Sequence, residues 1–461
     1  MGTQTDASRP GRARKVSLFR IVPGLVRDPL GALEHVARTS RGRVTRINLG
    51  LFKPFLLVEP DHVQQVLRDR ADRYLRDGMM WKPLRRFIGN GLANTGETWR
   101  EHRGVFSPLM SGRAIDALID EMAEAVETAV ADLDARVRGG RWFDARTEMT
   151  TIVHRAFGRT FFGPRLSVAD MERLGHAIET AMTALTPRLA LPFVSESVPL
   201  PGDRAYRDAA GTVDRVLTPV IRAARADGGA GRRDILSMLV QADPVRDRFT
   251  DAELRDDVIA MFTAGTESTS VMLTWLWVVL DRNPAVAERL YDEIDRVIGD
   301  ERPTRAHLAE LSYTRMVLQE LLRLYPAGWI VPRTCVRADA VGGVLIRPGD
   351  TVVVSPYLTH RLASHWERPT VFDPERFAPD REAKRHRFAY FPFSGGPHMC
   401  LGNHFFTVQM QLVLATLLSR YRLARNDSGP VMPEVAVSLR PRERVTVQLR
   451  PRRTATAPAA T

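Results

Sequence analysis

Residues 391–406 read FPFSGGPHMCLGNHFF. Gly395, Gly396 and Pro397 force a tight turn, Cys400 lies just past it, and from Leu401 to Leu418 the chain reads as a nearly all-round apolar helix. A cysteine at the N-terminus of a buried helix has its thiolate favoured by the helix dipole and by unpaired backbone N–H groups. A soft thiolate shielded from water is a ligand for a metal such as iron. The alternative for a lone cysteine in a helical protein is a packed structural residue. Zinc fits poorly: His398, Cys400 and His404 are close in sequence, but a fourth ligand is lacking, since Cys335 stands 65 residues away without a C-x-x-C partner.

Around this segment the chain has the composition of a soluble globular protein, with 461 residues, 44% hydrophobic and 26% charged. Disordered and collagen-like architectures are excluded. The net charge of +12 comes from 66 basic and 54 acidic residues, and lysine occurs only at 15, 53, 82 and 384. Arginines and acids are interspersed (Arg233, Asp234; Arg246, Asp247, Arg248) rather than gathered into a stripe, which argues against a nucleic-acid partner and supports at most a basic docking face. Two cysteines rule out a disulfide framework and point to a reducing, cytoplasmic location. The first residues lack the apolar core of a signal peptide, and the strongly apolar run Val271 to Leu280 is about half of the ~20 residues that span a bilayer, so no membrane anchor is expected.

The organisation expected is a disordered leader over 1–18, a single domain over 19–450 and a disordered tail over 451–461. Strand-like runs fall at Val44 to Leu49, Phe55 to Val58, Ala340 to Leu345 and Thr351 to Val354, and Asp61 to Arg70 reads as a helix. From Glu97 to about Leu280 the pattern is helical, as in Ile115 to Leu133. The fold class is therefore mainly α with small β-sheets.

Three further segments stand out. Thr250 and Glu253 form a capping box and Asn283-Pro284 ends the pattern, so Asp251 to Asp281 makes one helix of roughly 46 Å, long enough to cross the whole domain. At its middle sits Ala264-Gly265-Thr266-Glu267-Ser268-Thr269, a helix-weakening glycine among three hydroxyls that compete for backbone carbonyls. Local propensity is violated where burial should be greatest, and function is to be sought there. Glu320 and Arg323 share a helix face, and the flanking Leu321, Leu322 and Leu324 argue that this pair is buried and needs a third partner.

These segments resemble the cytochrome P450 family. Phe393, Gly396, His398, Cys400 and Gly402 match its haem-binding loop F-x-x-G-x-[RH]-x-C-x-G, and Ala264 to Thr269 is similar to its central-helix motif, with Ser268 where threonine is usual. Glu320-x-x-Arg323 with Pro374-Glu375-Arg376-Phe377 resembles the family's E-x-x-R and P-E-R-F segments. Trp99 to Arg103 is similar to its W-x-x-x-R helix, and Val331-Pro332-Arg333 resembles the segment that supplies a further propionate arginine.

The resemblance implies a triangular-prism helical fold binding haem b (iron protoporphyrin IX), with Cys400 as the axial thiolate on the metal. It implies that Trp99, Arg103, Arg333 and His398 hold the propionates, that Gly265 leaves room for a diatomic ligand, and that Glu320, Arg323 and Arg376 brace the haem loop. Glu267 with either Ser268 or Thr269 would deliver protons. The activity implied is a monooxygenase that takes O2 and electrons from a ferredoxin or flavodoxin with its NAD(P)H reductase, the chain acting as a monomer. Segments that would line the pocket are apolar: Met79, Met80, Trp81, Phe87 and Ile88; Leu185, Leu189, Leu191 and Phe193; Phe262; Trp329 to Val331; and Val435 to Val437. They favour terpenoid or polyketide tailoring in secondary metabolism over fatty-acid or xenobiotic hydroxylation, Arg188 being the one candidate carboxylate clamp. A non-catalytic haem sensor would have no use for the acid–alcohol pair, and a peroxide-using relative would typically lose it.

Overall fold

The computed structural model describes residues 11–191, 194–195, 197–242, 249–426 and 429–452. Short strands β1 (Arg14–Val16), β2 (Thr45–Ile47), β3 (Phe55–Leu57), β4 (Tyr74–Leu75), β5 (Val331–Cys335) and β6 (Thr351–Val354) form one six-stranded sheet in the order β1-β2-β3-β6-β5-β4. A hairpin of β7 (Pro433–Val435) and β8 (Leu439–Pro441) stands apart from it. The helical body holds α1 (Leu18–Arg27), α2 (Pro29–Ser40), α3 (Lys82–Ile88), α4 (Gly96–Leu109), α5 (Ala145–Phe162), α6 (Val168–Ala184), α7 (Asp203–Ala226), α8 (Asp251–Arg282), α9 (Ser312–Leu324) and α10 (Asn403–Arg420), with shorter helical segments between them. The expected capping box closes the N-terminus of α8, which runs the full predicted length and is buried along most of it. Helix α10 has almost no polar face, so its aliphatic residues from Met410 to Leu418 sit inside the main core.

Several local expectations change. The leader expected over 1–18 is ordered in its described part, because Arg14–Val16 lies parallel to Thr45–Ile47; its residues 1–10 fall outside the described residues. At the other end a strand reaches Pro451, and Arg452 pairs with Asp295 at 3.0 Å, so the tail begins later than 451; residues 453–461 are outside the described part. Both corrections come from pairing with distant segments, which composition does not reveal. The run Ile115 to Leu133 is two helical pieces, Gly112–Asp116 and Ile119–Ala131, and Ala340 to Leu345 is a hairpin folded at Gly342 and Gly343, whose φ values of 51° and 75° suit glycine. Asp61 to Arg70 begins as α-helix but widens over Gln65–Asp69.

Beneath the cysteine segment lies a buried charge network. Arg323 donates to both carboxylate oxygens of Glu320, at 2.6 and 2.8 Å, and to the carbonyls of His360, Pro369 and Val371. Arg376 approaches the same carboxylate at 3.3 Å, and the Asp373 N–H donates to it at 2.8 Å. His360 carries the network onward: it contacts the Arg323 carbonyl through Nδ1 and accepts the Phe391 N–H at Nε2, 2.9 Å away, so the brace ends on the first residue of the cysteine segment. Complete burial, then the nearby Arg323 charge, hold His360 well below its usual pKa, and the neutral ring donates from one nitrogen and accepts at the other. Removing one partner would leave the others charged and dry, which costs about 3–5 kcal/mol. Glu320→Ala is expected to lose that much stability in denaturant unfolding monitored by circular dichroism; a loss below about 1 kcal/mol would contradict the network.

Candidate active site

Along most of its length α8 is walled in, yet Ala264 is exposed and Gly265, Glu267 and Ser268 are half-buried at its middle. These residues therefore face a space inside the protein. The hydroxyls around them bond back along the helix: Ser268 Oγ donates to the Ala264 carbonyl at 2.6 Å and Thr269 Oγ1 to that of Gly265 at 2.7 Å. Their directions differ. Thr269 is fully buried, with Oγ1 at 3.4 Å from Gln409 Oε1 on α10, so it points away from the space that Ser268 faces. Of the two alcohols that the sequence leaves open beside Glu267, Thr269 is the one packed against α10.

Gly265 is also corrected in its reason. A Cβ there would lie 2.6 Å from the ring of Phe157 on α5, so the glycine lets α5 and α8 approach rather than clearing room for a ligand. Phe157 in turn packs edge-on against Phe405, 5.6 Å between centroids, which sets the crossing of α8 over the start of α10. Glu267 accepts a hydrogen bond from Ser438 Oγ at 2.7 Å. Ser438 precedes β8, a strand held to α8 by the Trp275 indole N–H on the Leu439 carbonyl at 2.9 Å. Sequence reading missed Ser438 because its segment bears no motif.

Opposite, the cysteine loop is pinned by close backbone approach. Gly396 has φ 65°, and a Cβ on it would sit 1.9 Å from the Leu67 carbonyl oxygen, so only glycine fits. The Cys400 N–H donates to the Phe393 carbonyl at 2.9 Å, closing the turn before α10. Gly402 is under no such demand, since a Cβ there would meet only Met110 at 4.0 Å. Cys400 has accessible side-chain area, yet protein surrounds it closely: the area belongs to the internal space, not to the outer surface. Burial pushes its thiol pKa up, against the pull of the Gly402 N–H and the Arg103 charge.

Beside the cysteine stands a set of cations without acids. Arg76 acts electrostatically with Arg103 and Arg333, all three arginines act on His398, and none of the four has a carboxylate partner among the described residues. Arg333, almost completely buried on β5, is pushed down to about 9 by desolvation and then by Arg76, which itself falls to about 10. His398 drops to about 3, first through burial and then through the three arginines, and its ring stacks on Trp99 at 4.0 Å. His398 Nδ1 and Arg76 Nε are buried without a hydrogen-bond partner. Arg76, absent from the sequence prediction, is held by the Leu92 and Asn94 carbonyls at 3.0 and 2.9 Å and lies over Trp81 and Trp99. Helix α4, which carries Trp99 and Arg103, is tied to α8 by a buried His102–Asp257 ion pair. Burial opposes the charge on His102, but the bond and the charge of Asp257 raise its pKa.

Of the apolar segments expected to line a pocket, Phe87, Leu185 and Phe262 are packed into the main core, and Leu191 and Val437 are exposed. Phe193 lies outside the described residues. Arg188 is already committed: it donates to both oxygens of Asp203, at 2.9 and 2.5 Å, and to the Val198 carbonyl.

Comparison with known proteins places this geometry. The family model described as Cytochrome P450 matches residues 14–448. The chain is a cytochrome P450. It is 29% identical to cyclooctatin synthase of Streptomyces melanosporofaciens over 90% of each chain, and 29% identical to pentalenene oxygenase of Streptomyces avermitilis over 89% of this chain and 90% of that protein. Its fold superposes on the crystal structure of cytochrome P450DA heme domain with a TM-score of 0.86, at 24% identity, over 96% of this chain and 99% of the other.

The family's cofactor is haem b, and the residues present in this P450 fit it. Its two propionates are a dianionic edge, the complement that the desolvated Arg76, Arg333 and unpartnered His398 Nδ1 lack. The arginines do not shed their protons; burial without an anion is what lowers their pKa. Cys400→Ala is expected to abolish the red-shifted Soret band of the CO-bound, reduced protein. Arg333→Ala should keep that band but release haem about ten- to a hundredfold faster in a transfer assay to apomyoglobin, the equivalent of one charge-assisted bond of about 1.5–3 kcal/mol. Unchanged haem loss would remove Arg333 from the site.

Proposed function

We propose that this cytochrome P450 hydroxylates or epoxidises a neutral, hydrophobic small molecule, with terpenoids as the first class and polyketides as the second. The observation that carries the mechanism is the split at the centre of α8, where Glu267 and Ser268 face the internal space and Thr269 faces Gln409. Bound through the Cys400 thiolate, haem b supplies reductive activation of O2 and insertion of one oxygen atom into a C–H or C=C bond. The chain's own residues govern the protons. Ser268 Oγ presents a hydroxyl whose donor rests on the Ala264 carbonyl, and a turn about its side-chain bond redirects that proton inward. Glu267 accepts from Ser438 at Oε1, which leaves Oε2 to take up and hand on a proton. Serine lacks the methyl that restricts threonine, so its rotation is less hindered. On this reading Trp99, Arg76, Arg103, Arg333 and His398 hold and orient the propionates, and Glu320, Arg323, Arg376 and His360 keep the cysteine segment in register.

Two observations support the substrate class. Relatives named cyclooctatin synthase, cyclooctat-9-en-7-ol 5-monooxygenase and pentalenene oxygenase, each 29% identical, support a terpenoid substrate. Fatty-acid hydroxylation would call for a carboxylate clamp, and Arg188, the candidate for it, is saturated by Asp203 and backbone carbonyls. Electrons are taken to come from a ferredoxin or flavodoxin in the cytoplasm, where Cys335 and Cys400 stay unpaired. If docking of that carrier is electrostatic, the steady-state rate falls as salt rises; a salt-independent rate would contradict it.

The double variant Glu267→Gln/Ser268→Ala is expected to consume NAD(P)H with little product, coupling falling by about a hundredfold, in line with the ~10²–10⁴-fold typical of a positioned proton donor. Thr269→Ala should stay within a few-fold of the parent in product formed per NAD(P)H consumed. Full coupling in the double variant, or a larger loss in Thr269→Ala, would overturn the assignment.

A further inference from the structure

The surplus positive charge of this chain is gathered at one place. Residues 11–55 hold ten Lys and Arg against two acids, Asp28 and Glu34, which is eight of the net +12. Arg12, Lys15, Arg20, Arg27, Arg41, Arg43 and Lys53 in this stretch are exposed, and none has an acidic partner among the described residues. The interspersion expected from the sequence therefore fails here.

The same stretch holds the three most exposed large apolar side chains among the described residues. Phe19 is 89% exposed, Val26 83% and Leu51 94%. On α1, at about 100° per residue, Val22, Val26, Phe19 and Pro23 fall side by side on one arc, with Arg27 and Arg20 next along the circumference. The opposite edge of the apolar arc, Ile21 and Leu25, packs inward as part of an apolar cluster that also holds Leu30, Val36 and Ile47. An apolar arc this wide is more than the core uses, and its outer half is left facing water. Leu51 adds to it from a second element. Strands β1 and β2 run parallel, and the Asn48 N–H donates to the Val16 carbonyl at 3.0 Å, so both chains leave the sheet at the same end. Phe19 follows the end of β1 by three residues and Leu51 follows the end of β2 by four.

We propose that this face docks on the surface of an anionic lipid bilayer, with Phe19, Val26 and Leu51 inserted among the acyl chains and the flanking Arg20, Arg27, Lys15 and Lys53 on lipid phosphates. An apolar stripe bordered by unpaired arginines matches the layered chemistry of a bilayer interface, apolar below and anionic above. A nucleic acid would use the charge but leave the apolar stripe in water. No helix among the described residues is long and apolar enough to cross a membrane, so the contact is peripheral.

The test is flotation of the haem-loaded protein with phosphatidylcholine vesicles, with and without phosphatidylglycerol, and no substrate, so that its result is independent of the activity proposed above. The protein is expected to float with phosphatidylglycerol vesicles, to stay behind with phosphatidylcholine alone, and to be released by high salt. Phe19→Ser/Val26→Ser and, separately, Leu51→Ser should lower vesicle affinity about tenfold or more with an unchanged CO-difference spectrum, and Arg20→Glu/Arg27→Glu should do the same. Absence of binding by the parent protein overturns the proposal. So does undiminished binding in the serine variants, which would mean charge alone. A dimer in sedimentation velocity that the serine variants dissolve would put a second copy of the chain on this face instead.

Discussion

An arginine buried without an acid is the constraint on which the rest of the molecule depends. Arg333 sits almost wholly inside the protein with Arg76 and Arg103 near it, and no carboxylate relieves them among the described residues. Folding such a group alone would cost several kcal/mol. On the proposed reading an anionic cofactor edge completes the arrangement, and cofactor binding would then help to hold the chain together as well as serve the chemistry. The six-stranded sheet serves this purpose: it joins residues from both halves of the sequence and places Arg333 on an inward position of β5. Helix α4 is fastened to α8 by His102 and Asp257, which holds Trp99 and Arg103 on the same side.

The second demand is that a helix remain intact while offering polar groups to its interior. Helix α8 meets it by returning the hydroxyls of Thr266, Ser268, Thr269 and Ser270 to carbonyls one turn back, so that all four are satisfied within the helix. What distinguishes Ser268 from Thr269 is therefore the neighbour, not the local bond: Thr269 meets α10 and Ser268 does not. Glu267 is held by a hydroxyl from the β7–β8 segment, so the acid and the alcohol are positioned by different parts of the fold.

Much of the site was legible because its chemistry needs particular residues at short spacing. The turn glycines before Cys400, the Glu320–Arg323 pair and the hydroxyl cluster of α8 are local signals, and each has a visible physical cause in the structure. Where the reading went astray, the deciding contact came from far along the chain. Gly265 serves Phe157 of α5, Arg188 is taken by Asp203, and the segment before Ser17 is a strand because residues 45–47 lie beside it. Arg76, Ser438 and His360 had no motif to announce them, and their roles depend wholly on what they meet.

The sequence by itself determined the helical class, and it singled out the cysteine at the head of α10 and the acid beside two alcohols as candidates, since turn geometry, helix periodicity and ligand chemistry act over a few residues. Only the tertiary structure decided which alcohol faces the interior, which cations stand together unpaired, and where the surplus charge meets exposed apolar surface. Those are matters of direction and distance between segments remote in the chain, and desolvation, which gives a buried charge its consequence, exists only once they are packed.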